Sequence, residues 1–310
     1  MGQCRIYYWD NGVGVKTDVA LIKECLDEVH DCEVFDFSSS NDDCFNHTIE
    51  NSTVDIGIFN QNYDLSLLQY NKINVFIPNE EWLSLEEASN LSSFDYIVVK
   101  NSYAKNLFFD LHKNIQVLYF WSRDLYSEYY SGFKNNNILH FAGKSIQKNT
   151  ESVISRDDIH IFDSSGRFKD VRTEKYYYNF ISDNKLQRVF NICNTHICPS
   201  LYEAHGHYMF EAMLCDKKVI ASAIPAWTEQ IDPSYVTFVE TNPVVVKDND
   251  YEFLESKDSN TRFPWRRGFI TDTDRINYAI DNSKAKKSRK YTLDLFSKNK
   301  KTFLEFFKSI

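Results

Sequence analysis

Short apolar runs alternate with amphipathic segments along almost the whole chain, and this alternation strongly limits the folds available to it. Apolar runs of strand length, separated by helical periodicity, indicate buried parallel strands with helices on both faces of a sheet. Helical patterns fall at 80–91, 102–112, 148–154, 183–192, 207–215 and 274–282, and again in the tail at 290–310. The predicted strands are 5–9, 32–37, 54–59, 73–77, 96–99, 115–120, 138–141, 159–162, 195–198, 218–221 and 235–239.

The alternation is interrupted once, at 121–137, where a polar stretch rich in Asn is typical of a connection. A length of 310 residues fits two domains of about 150 residues each. We therefore predict two facing, doubly wound, Rossmann-like α/β domains, 1–130 and 131–288, followed by a helix at 289–310. Open α/β sheets bind ligands beyond the carboxyl ends of their strands, so the cleft between the domains is the expected site.

The formal net charge of −9 argues against nucleic-acid binding, because an acidic chain repels phosphate backbones. The longest apolar runs have the length of strands and not of membrane spans, and the basic stretch 284–290 predicts a solvated helix face or at most a peripheral membrane contact. The apolar opening is too short for a signal peptide. Seven scattered cysteines without a Cys-x-x-Cys pair favour reduced thiols, so a cytoplasmic location is expected.

The segment 198–231 is the most informative part of the chain. Glu203 lies in the loop after a predicted strand, and Glu211 lies about one turn into the helix that starts near His207. Loop and helix can therefore aim both carboxylates into one cleft. The N–H groups of a helix start suit a diphosphate, and a carboxylate can accept two hydrogen bonds from a vicinal diol such as ribose. These are the parts of a nucleotide-sugar site.

The same segment resembles the donor-binding motif of retaining GT-B glycosyltransferases, specifically family four (glycosyl transferases group 1). In that family two Glu residues, separated by seven residues, lie in a pattern like Pro-Ser-x-x-Glu-Gly-Phe-Gly-x-x-x-x-Glu-Ala. The resemblance implies a GT-B fold, a role for Glu203 on the hydroxyls of the donor sugar, and a role for Glu211 on the ribose diol. The equivalent residues here are Pro199, Ser200, Glu203, Gly206, Glu211 and Ala212.

Other segments extend the resemblance. Lys144 and Lys148 match the two basic residues that the family places on the donor diphosphate, and Gly12 and Gly14 match its glycine loop near the diphosphate and acceptor. The segments 78–82 and 100–102 are similar to the acceptor-side domain of one subgroup. The resemblance also implies that the helix at 289–310 packs back on the N-terminal, acceptor-side domain. The resemblance thus assigns Glu203, Lys144 and Lys148 to catalysis. It assigns a second group to donor binding: Glu211, Gly206, His207, Gly12, Gly14, His205 and Ser200.

Two departures from the family pattern concern the donor. The usual Gly-Phe after the first Glu is Ala204-His205, which we expect to narrow the sugar pocket, and Lys-Gly-Thr is replaced by Lys148-Asn149-Thr150. We expect His205 to line that pocket and His207 to pack at the helix start. The His-x-His pair has no third ligand at a suitable local spacing, so no metal is expected, and lysines and helix amides take the place of the cation.

The predicted function is a retaining glycosyltransferase of hexosyltransferase type. It would move a sugar from a UDP- or GDP-linked donor to a hydroxyl of a glycan or other acceptor without a metal ion. Two alternatives remain open. The first is a non-catalytic sugar-nucleotide-binding partner of another transferase, and the second is a sugar-nucleotide epimerase or phosphorylase on the same fold.

Overall fold

The computed structural model describes residues 1–10, 13–39, 52–131, 136–171, 174–178, 181–245, 267–283 and 286–310. These residues divide into two compact units. Unit 1 holds those from 1 to 122 and from 296 to 310, and unit 2 holds those from 123 to 245 and from 267 to 295. Each unit is built on one parallel sheet.

The described strands of unit 1 form a six-stranded sheet in the order β2-β1-β3-β4-β5-β6, and all neighbours are parallel. The order changes direction between β1 and β3, where Tyr8 pairs with Asn60. This is the switch point at which open sheets bind ligands. The strands are β1 Gly2–Tyr8, β2 His30–Asp36, β3 Val54–Asn60, β4 Asn71–Ile77, β5 Tyr96–Val99 and β6 Ile115–Val117. The helices are α1 Val13–Leu26, α2 Leu85–Ser89 and α3 Ser102–Phe108.

Aromatic side chains fill one face of this sheet. Tyr7 stacks on Phe59 at a centroid distance of 4.7 Å, and Phe76 stacks on Phe94 at 5.0 Å. No described residue of α1 belongs to this cluster, although α1 contacts β1, β2 and β3. The helix α1 therefore covers the opposite face. Because side chains alternate along a strand, the neighbours of the aromatic residues in β1 and β3 point towards α1.

The described strands of unit 2 also form a six-stranded parallel sheet, in the order β12-β11-β10-β7-β8-β9. This is the strand order of a Rossmann fold, and its switch point lies between β7 and β10. The strands are β7 Ile138–Gly143, β8 Ile159–Asp163, β9 Tyr176–Tyr177, β10 Thr195–Cys198, β11 Lys218–Ser222 and β12 Thr237–Val239. The helices are α4 Glu128–Ser131, α5 Asp183–Ile192, α6 His207–Leu214, α7 Pro225–Thr228 and α8 Thr273–Asn282. A separate antiparallel pair consists of β13 Thr241–Val245 and β14 Arg267–Thr271.

The last helix, α9, runs over Arg289–Ser309. In unit 1, the ring of Phe303 is fully buried and packs edge-on against Phe120 and Trp121 at centroid distances of 5.7 and 5.2 Å. The backbone carbonyl of Phe307 lies 3.1 Å from Nε2 of His30. Within the part of the chain that the structure describes, no helix combines the length and apolar character of a membrane span.

The predicted parallel α/β class is confirmed, but the structure differs from the prediction at two of the predicted helices. The pattern at 80–91 becomes a short helix from Leu85, because Ser84 and Glu87 form a capping box that starts the helix there. The pattern at 148–154 becomes two 3₁₀ turns, Ile146–Lys148 and Thr150–Ser152, because Asn149 between them has a left-handed backbone with φ of 52°.

Candidate active site

The residues of the Glu-x₇-Glu motif lie at the switch point of unit 2, where β7 and β10 end side by side. Gly143 ends β7 with φ of 63°, a conformation that favours glycine. The N–H of Leu201, after β10, donates to the carbonyl of Gln147, after β7, at 2.8 Å. One backbone hydrogen bond thus joins the two loops that carry the motif residues.

The carboxylate of Glu203 is buried and held by three donors. The hydroxyl of Ser200 donates to Oε1 at 2.6 Å, and the ammonium of Lys148 forms an ion pair with the same oxygen. The amide of Gln147 donates to Oε2 at 3.1 Å. An ionised carboxylate has about four acceptor sites, so these donors fix its orientation and leave room for one more hydrogen bond.

Tyr208 completes this cluster. Its hydroxyl lies 2.7 Å from Oγ of Ser200, and its ring lies 4.3 Å below Nζ of Lys148. Burial raises the pKa of Tyr208 well above its usual value, so the phenol keeps its proton. Because the single proton of Ser200 goes to Glu203, Tyr208 donates to Ser200. Hydrogen-bond donation therefore runs from Tyr208 to Ser200 and from Ser200 to Glu203.

Gly206 follows the cluster and caps α6 with φ of 78°. A Cβ at this position would lie 2.8 Å from the indole of Trp227, whose Nε1 donates to the carbonyl of His205 at 2.8 Å. Both backbone conformation and available space therefore require glycine here. In the first turn of α6, the N–H of Met209 donates to the carbonyl of Gly206 at 3.2 Å, and the N–H groups that precede it face out of the helix start.

Glu211, one turn into α6, is buried and paired with Arg123. Nε of Arg123 donates to Oε1 at 2.7 Å, while Oε2 accepts no hydrogen bond from any residue in the described ranges. A second, longer contact of 3.4 Å links Arg123 to Asp183. Arg123 is absent from the sequence-based predictions, which place it in a connection. Its only signal is indirect: a buried carboxylate needs a partner, and no spacing in the sequence identifies that partner.

The two histidines of the His-x-His pair pack against aromatic rings. His205 is buried and stacks on Phe210 at a centroid distance of 4.5 Å, and its ring meets that of His207 edge-on at 4.8 Å. Within the described ranges, no three His, Cys, Asp or Glu side chains cluster in a way that could hold a metal ion. The role of His205 in a sugar pocket stays a prediction.

Both departures from the family pattern fit the backbone. Asn149 occupies a left-handed position, which Asn tolerates better than most residues other than Gly. Ala204 is buried, and its φ is not positive, so alanine adds no backbone strain there. The structure therefore gives no reason to regard either change as damage to the site.

Of the four remaining predicted site residues, Lys144, His207 and Gly14 lie in the described part of the chain. Lys144 follows β7, and its exposed side chain forms no ion pair with the described residues. His207 is partly buried at the start of α6. Gly14 belongs to unit 1, where it lies in the first turn of α1. It is exposed, and a Cβ at this position would have no atom within 4 Å. Gly12 lies outside the described residues.

Known proteins resemble the chain in sequence over one segment and in fold over its whole length. Residues 169–263, which include Glu203 and Glu211, match the model of the family glycosyl transferases group 1. No curated protein matches the sequence.

Solved structures of similar fold cover the whole chain. Sucrose-phosphate synthase from Thermosynechococcus elongatus has a TM-score of 0.69 at 11% identity, covering 100% of this chain and 99% of that chain. HepE from Anabaena, solved with UDP and glucose, has a TM-score of 0.65 at 12% identity, covering 99% and 100%. A trehalose-6-phosphate synthase has a TM-score of 0.62 at 10% identity, covering 99% of each chain.

At these identities the structural likeness shows the fold, which is GT-B, as the sequence predicts. The fold and the family match together place the chain in the glycosyltransferase superfamily. Within it, the matched family is group 1, which confirms the resemblance indicated by the motif around Glu203 and Glu211.

Proposed function

We propose that the chain is a retaining glycosyltransferase of hexosyltransferase type. It moves a sugar from a UDP- or GDP-linked donor to a hydroxyl of a glycan or other acceptor, without a metal ion. The observation that carries this proposal is the pair of cation–carboxylate contacts in unit 2, Lys148 with Glu203 and Arg123 with Glu211. The fold that the chain shares with HepE, which was solved with UDP-glucose, supports the choice of donor class.

The open acceptor positions of the two carboxylates suit the two ends of such a donor. Glu211 keeps Oε2 available for a ribose diol, which donates two hydrogen bonds to one carboxylate. Glu203 retains about one acceptor position, which suits a single hydroxyl of the sugar. Because Ser200, Gln147 and Lys148 already orient Glu203, binding requires little rearrangement of this carboxylate.

The diphosphate would lie against cationic and N–H donors. An ammonium has three donors, and Lys148 uses one on Glu203, so the others can meet phosphate oxygens. Lys144 and the positive N-terminal end of α6, which begins after Gly206, add to this charge. Each donor placed where charge develops in the transition state is worth roughly a hundred- to thousandfold in rate. These groups supply the positive charge that a metal ion would otherwise supply.

In the transfer step, the bond between the anomeric carbon and the diphosphate oxygen breaks, and a bond to the acceptor oxygen forms on the same face of the sugar. The acceptor proton passes to the departing phosphate oxygen, which gains negative charge as the bond breaks. This route retains the anomeric configuration and needs no protein base. The protein contributes by binding and orienting the donor and by stabilising its leaving group.

Thermal-shift measurements on the full chain with a panel of UDP- and GDP-sugars test donor binding. A donor at a hundred times its Kd stabilises the fold by about 2.7 kcal/mol. The shift should persist in EDTA and disappear in Glu211→Gln. Glu240→Gln, which removes an exposed carboxylate of unit 2, is the matched control and should keep the shift. Stabilisation by none of the sugar nucleotides would contradict the proposal.

Assays of turnover distinguish a glycosyltransferase from the alternative functions. Release of UDP or GDP that depends on a glycan acceptor, with retention of configuration in the product, supports the transferase. Binding without turnover across an acceptor panel would instead indicate a non-catalytic partner. Conversion of the donor without an acceptor would indicate an epimerase, and dependence on inorganic phosphate would indicate a phosphorylase.

A further inference from the structure

The interior of unit 2 contains a histidine that the proposed transfer step does not use. His140 lies in β7 and has no solvent exposure. Burial of a polar ring is costly unless its nitrogens find partners, and both nitrogens of His140 have one. Nδ1 lies 3.1 Å from the backbone carbonyl oxygen of Ile197, and Nε2 lies 3.0 Å from Oγ1 of Thr150. The ring therefore joins β7 to β10 and to the turn that follows β7.

The first of these partners lies where β7 and β10 separate. In the ladder between these strands, His140 is the partner of Ile197, and this is the last pair of the described ladder. Beyond it, the two chains continue into the loops that carry Lys148 and Glu203. The ring of His140 thus ties the two strands together at the switch point, where open α/β sheets take up their ligands.

The direction of both hydrogen bonds follows from the chemistry of the partners. A backbone carbonyl oxygen can only accept, so Nδ1 of His140 carries the proton and donates to Ile197. Burial lowers the pKa of His140 to about 4, so the ring is neutral near pH 7 and Nε2 is an acceptor. The hydroxyl of Thr150 therefore donates to Nε2. The ring acts here as a fixed link and not as an acid or base.

The second partner fixes the turns around Lys148. Thr150 is buried and begins the second 3₁₀ turn, and Lys148 ends the first. Asn149, between them, has a left-handed backbone, which is uncommon for residues other than glycine. Hydrogen bonds within 3₁₀ turns have poor geometry, so contacts outside the turns decide where they lie. The hydrogen bond from Thr150 to His140 is such a contact.

Lys148 is therefore placed between two points of attachment. On one side, the carbonyl of Gln147 accepts a hydrogen bond from the N–H of Leu201 at 2.8 Å. On the other side, the hydroxyl of Thr150 is bound to His140. A lysine side chain is flexible, so the place of its backbone decides which groups its ammonium can reach. A displacement of about 1 Å in a group that acts on the reacting atoms can cost about a hundredfold in rate.

We propose that His140 is a positioning residue: by linking Thr150 to Ile197, it holds the turn from which Lys148 meets the diphosphate of the donor. An apolar side chain of similar size could fill the same space, but it could not fix the turn, because apolar packing lacks the direction of a hydrogen bond. The inference rests on the proposed function in taking the ligand of Lys148 to be a nucleoside diphosphate.

Thr150→Val tests the link, because it removes the hydroxyl and keeps a side chain of similar shape. The probes are UDP and GDP, each beside its nucleoside, uridine or guanosine, with Kd measured by calorimetry on the full chain. Thr150→Val should weaken the better-bound diphosphate by about fivefold or more and change the nucleoside by less than about twofold, since only the diphosphate meets Lys148. An unchanged Kd for the diphosphate, or an equal loss for the nucleoside, would overturn the proposal.

Conservative and distant variants separate positioning from a general loss of stability. Thr150→Ser retains a hydroxyl for His140 and should restore the Kd of the diphosphate to within about twofold of wild type. Thr292→Val is the matched control, because Thr292 is another buried threonine of unit 2, and its hydroxyl donates to the carbonyl of Ser288 at 2.8 Å. It should leave that Kd unchanged. A loss in Thr292→Val as large as that in Thr150→Val, or no restoration by serine, would contradict a role specific to the link.

Two double variants test whether the effect passes from His140 through Lys148. In Lys148→Met, adding Thr150→Val should cost less than about twofold more, since the turn then carries no cation. His140→Asn can still donate to Ile197 but does not reach Thr150, so it should reproduce the loss in Thr150→Val, and the two together should lose no more than either alone. Additive losses in either pair would overturn the proposal. If His140→Asn does not fold, the pair with Lys148→Met decides.

Hydrogen exchange separates this inference from the proposed function, because it needs no ligand. The N–H of Leu201, which donates to the turn at Gln147, reports on the position of the turn. It should exchange about fivefold faster or more in Thr150→Val than in Thr292→Val, and equal exchange would overturn the inference. If wild type binds neither UDP nor GDP, the proposed function fails, and the exchange result still decides whether His140 holds the turn.

Discussion

The indole of Trp227 occupies the space into which a side chain at position 206 would extend, so that a Cβ on Gly206 would lie 2.8 Å from its Cζ2 and Nε1 atoms. The indole cannot easily yield. It is fully buried and donates to the carbonyl of His205 at 2.8 Å. The backbone that leads from Glu203 into α6 is therefore fixed by a residue from the next helix along the chain.

Gly206→Ala should weaken both the fold and donor binding. The methyl group meets the indole and sits at a φ of 78°, so we expect a loss of about 1–3 kcal/mol in the free energy of unfolding. The urea midpoint measures this loss, and donor affinity should fall at least tenfold because the start of α6 shifts. Gly14→Ala, in an exposed helical turn with open space, is the control for stability and should be neutral or slightly stabilising. Equal midpoints for the two variants would refute the close-packing argument.

Arg123→Ala should raise the Kd for UDP at least tenfold, equivalent to about 1.4 kcal/mol. The buried carboxylate of Glu211 loses the guanidinium that pairs with it and orients it. Isothermal titration calorimetry measures the change. Arg156→Ala is the matched control, since Arg156 pairs with two carboxylates of the same unit, Asp158 and Asp281. An affinity loss of the same size in the control would show that the effect is not local to Glu211.

Lys148→Met should lower kcat at least tenfold while the protein stays folded, because the leaving diphosphate loses its nearest predicted cation. The methionine side chain retains the apolar stem that packs near Tyr208. Initial rates at saturating donor give kcat, and circular dichroism checks the fold. Lys169→Met, at an exposed position of unit 2, should behave like wild type. A wild-type kcat in Lys148→Met would remove this residue from the mechanism.

Glu80 should make the fold less stable as the pH rises. Burial, together with the neighbouring Glu81, raises its pKa in the folded state from about 4.5 to about 8, so the folded state holds a proton that the unfolded state has lost between these values. Stability from this group is complete below about pH 4.5 and is lost as the pH rises towards 8, by up to about 1.4 kcal/mol per pH unit.

Urea midpoints measured from pH 5 to 8 test this direction. Glu80→Gln should become progressively more stable than wild type across the range. Glu86→Gln, which removes an exposed carboxylate nearby, controls for the loss of a negative charge. A constant difference between wild type and Glu80→Gln at all pH values would contradict the raised pKa.

The strands were predictable because burial on both faces leaves a clear apolar run. The predicted limits 96–99 and 195–198 agree with β5 and β10 to the residue. The turns at 148–154 were not predictable, because the helical spacing there is real but Asn149 adopts a left-handed backbone that breaks it. The two-residue strand Tyr176–Tyr177 is too short to show any periodicity.

Residues of the candidate site were predictable only where a family motif marks them. Glu203 and Glu211 share one motif, whereas the partner of Glu211 lies 88 residues earlier, in a segment with the composition of a linker. Asn60, a buried amide at the end of β3, likewise belongs to no motif. Its significance depends on the absence of partners among the described residues in three dimensions, which no spacing in the sequence encodes.

The contacts of Phe303 with Phe120 and Trp121 have a consequence for the order in which the chain acquires its structure. Residues 1–122 of unit 1 are synthesised before unit 2, yet residues 296–310, which follow unit 2, belong to unit 1 as well. During translation its sheet can form early, but part of its apolar surface stays uncovered until the whole of unit 2 has been made. Domains generally fold as units while the chain emerges, so unit 2 can finish before unit 1. A nascent chain stalled before residue 296 should therefore be the species most prone to aggregation and to capture by chaperones.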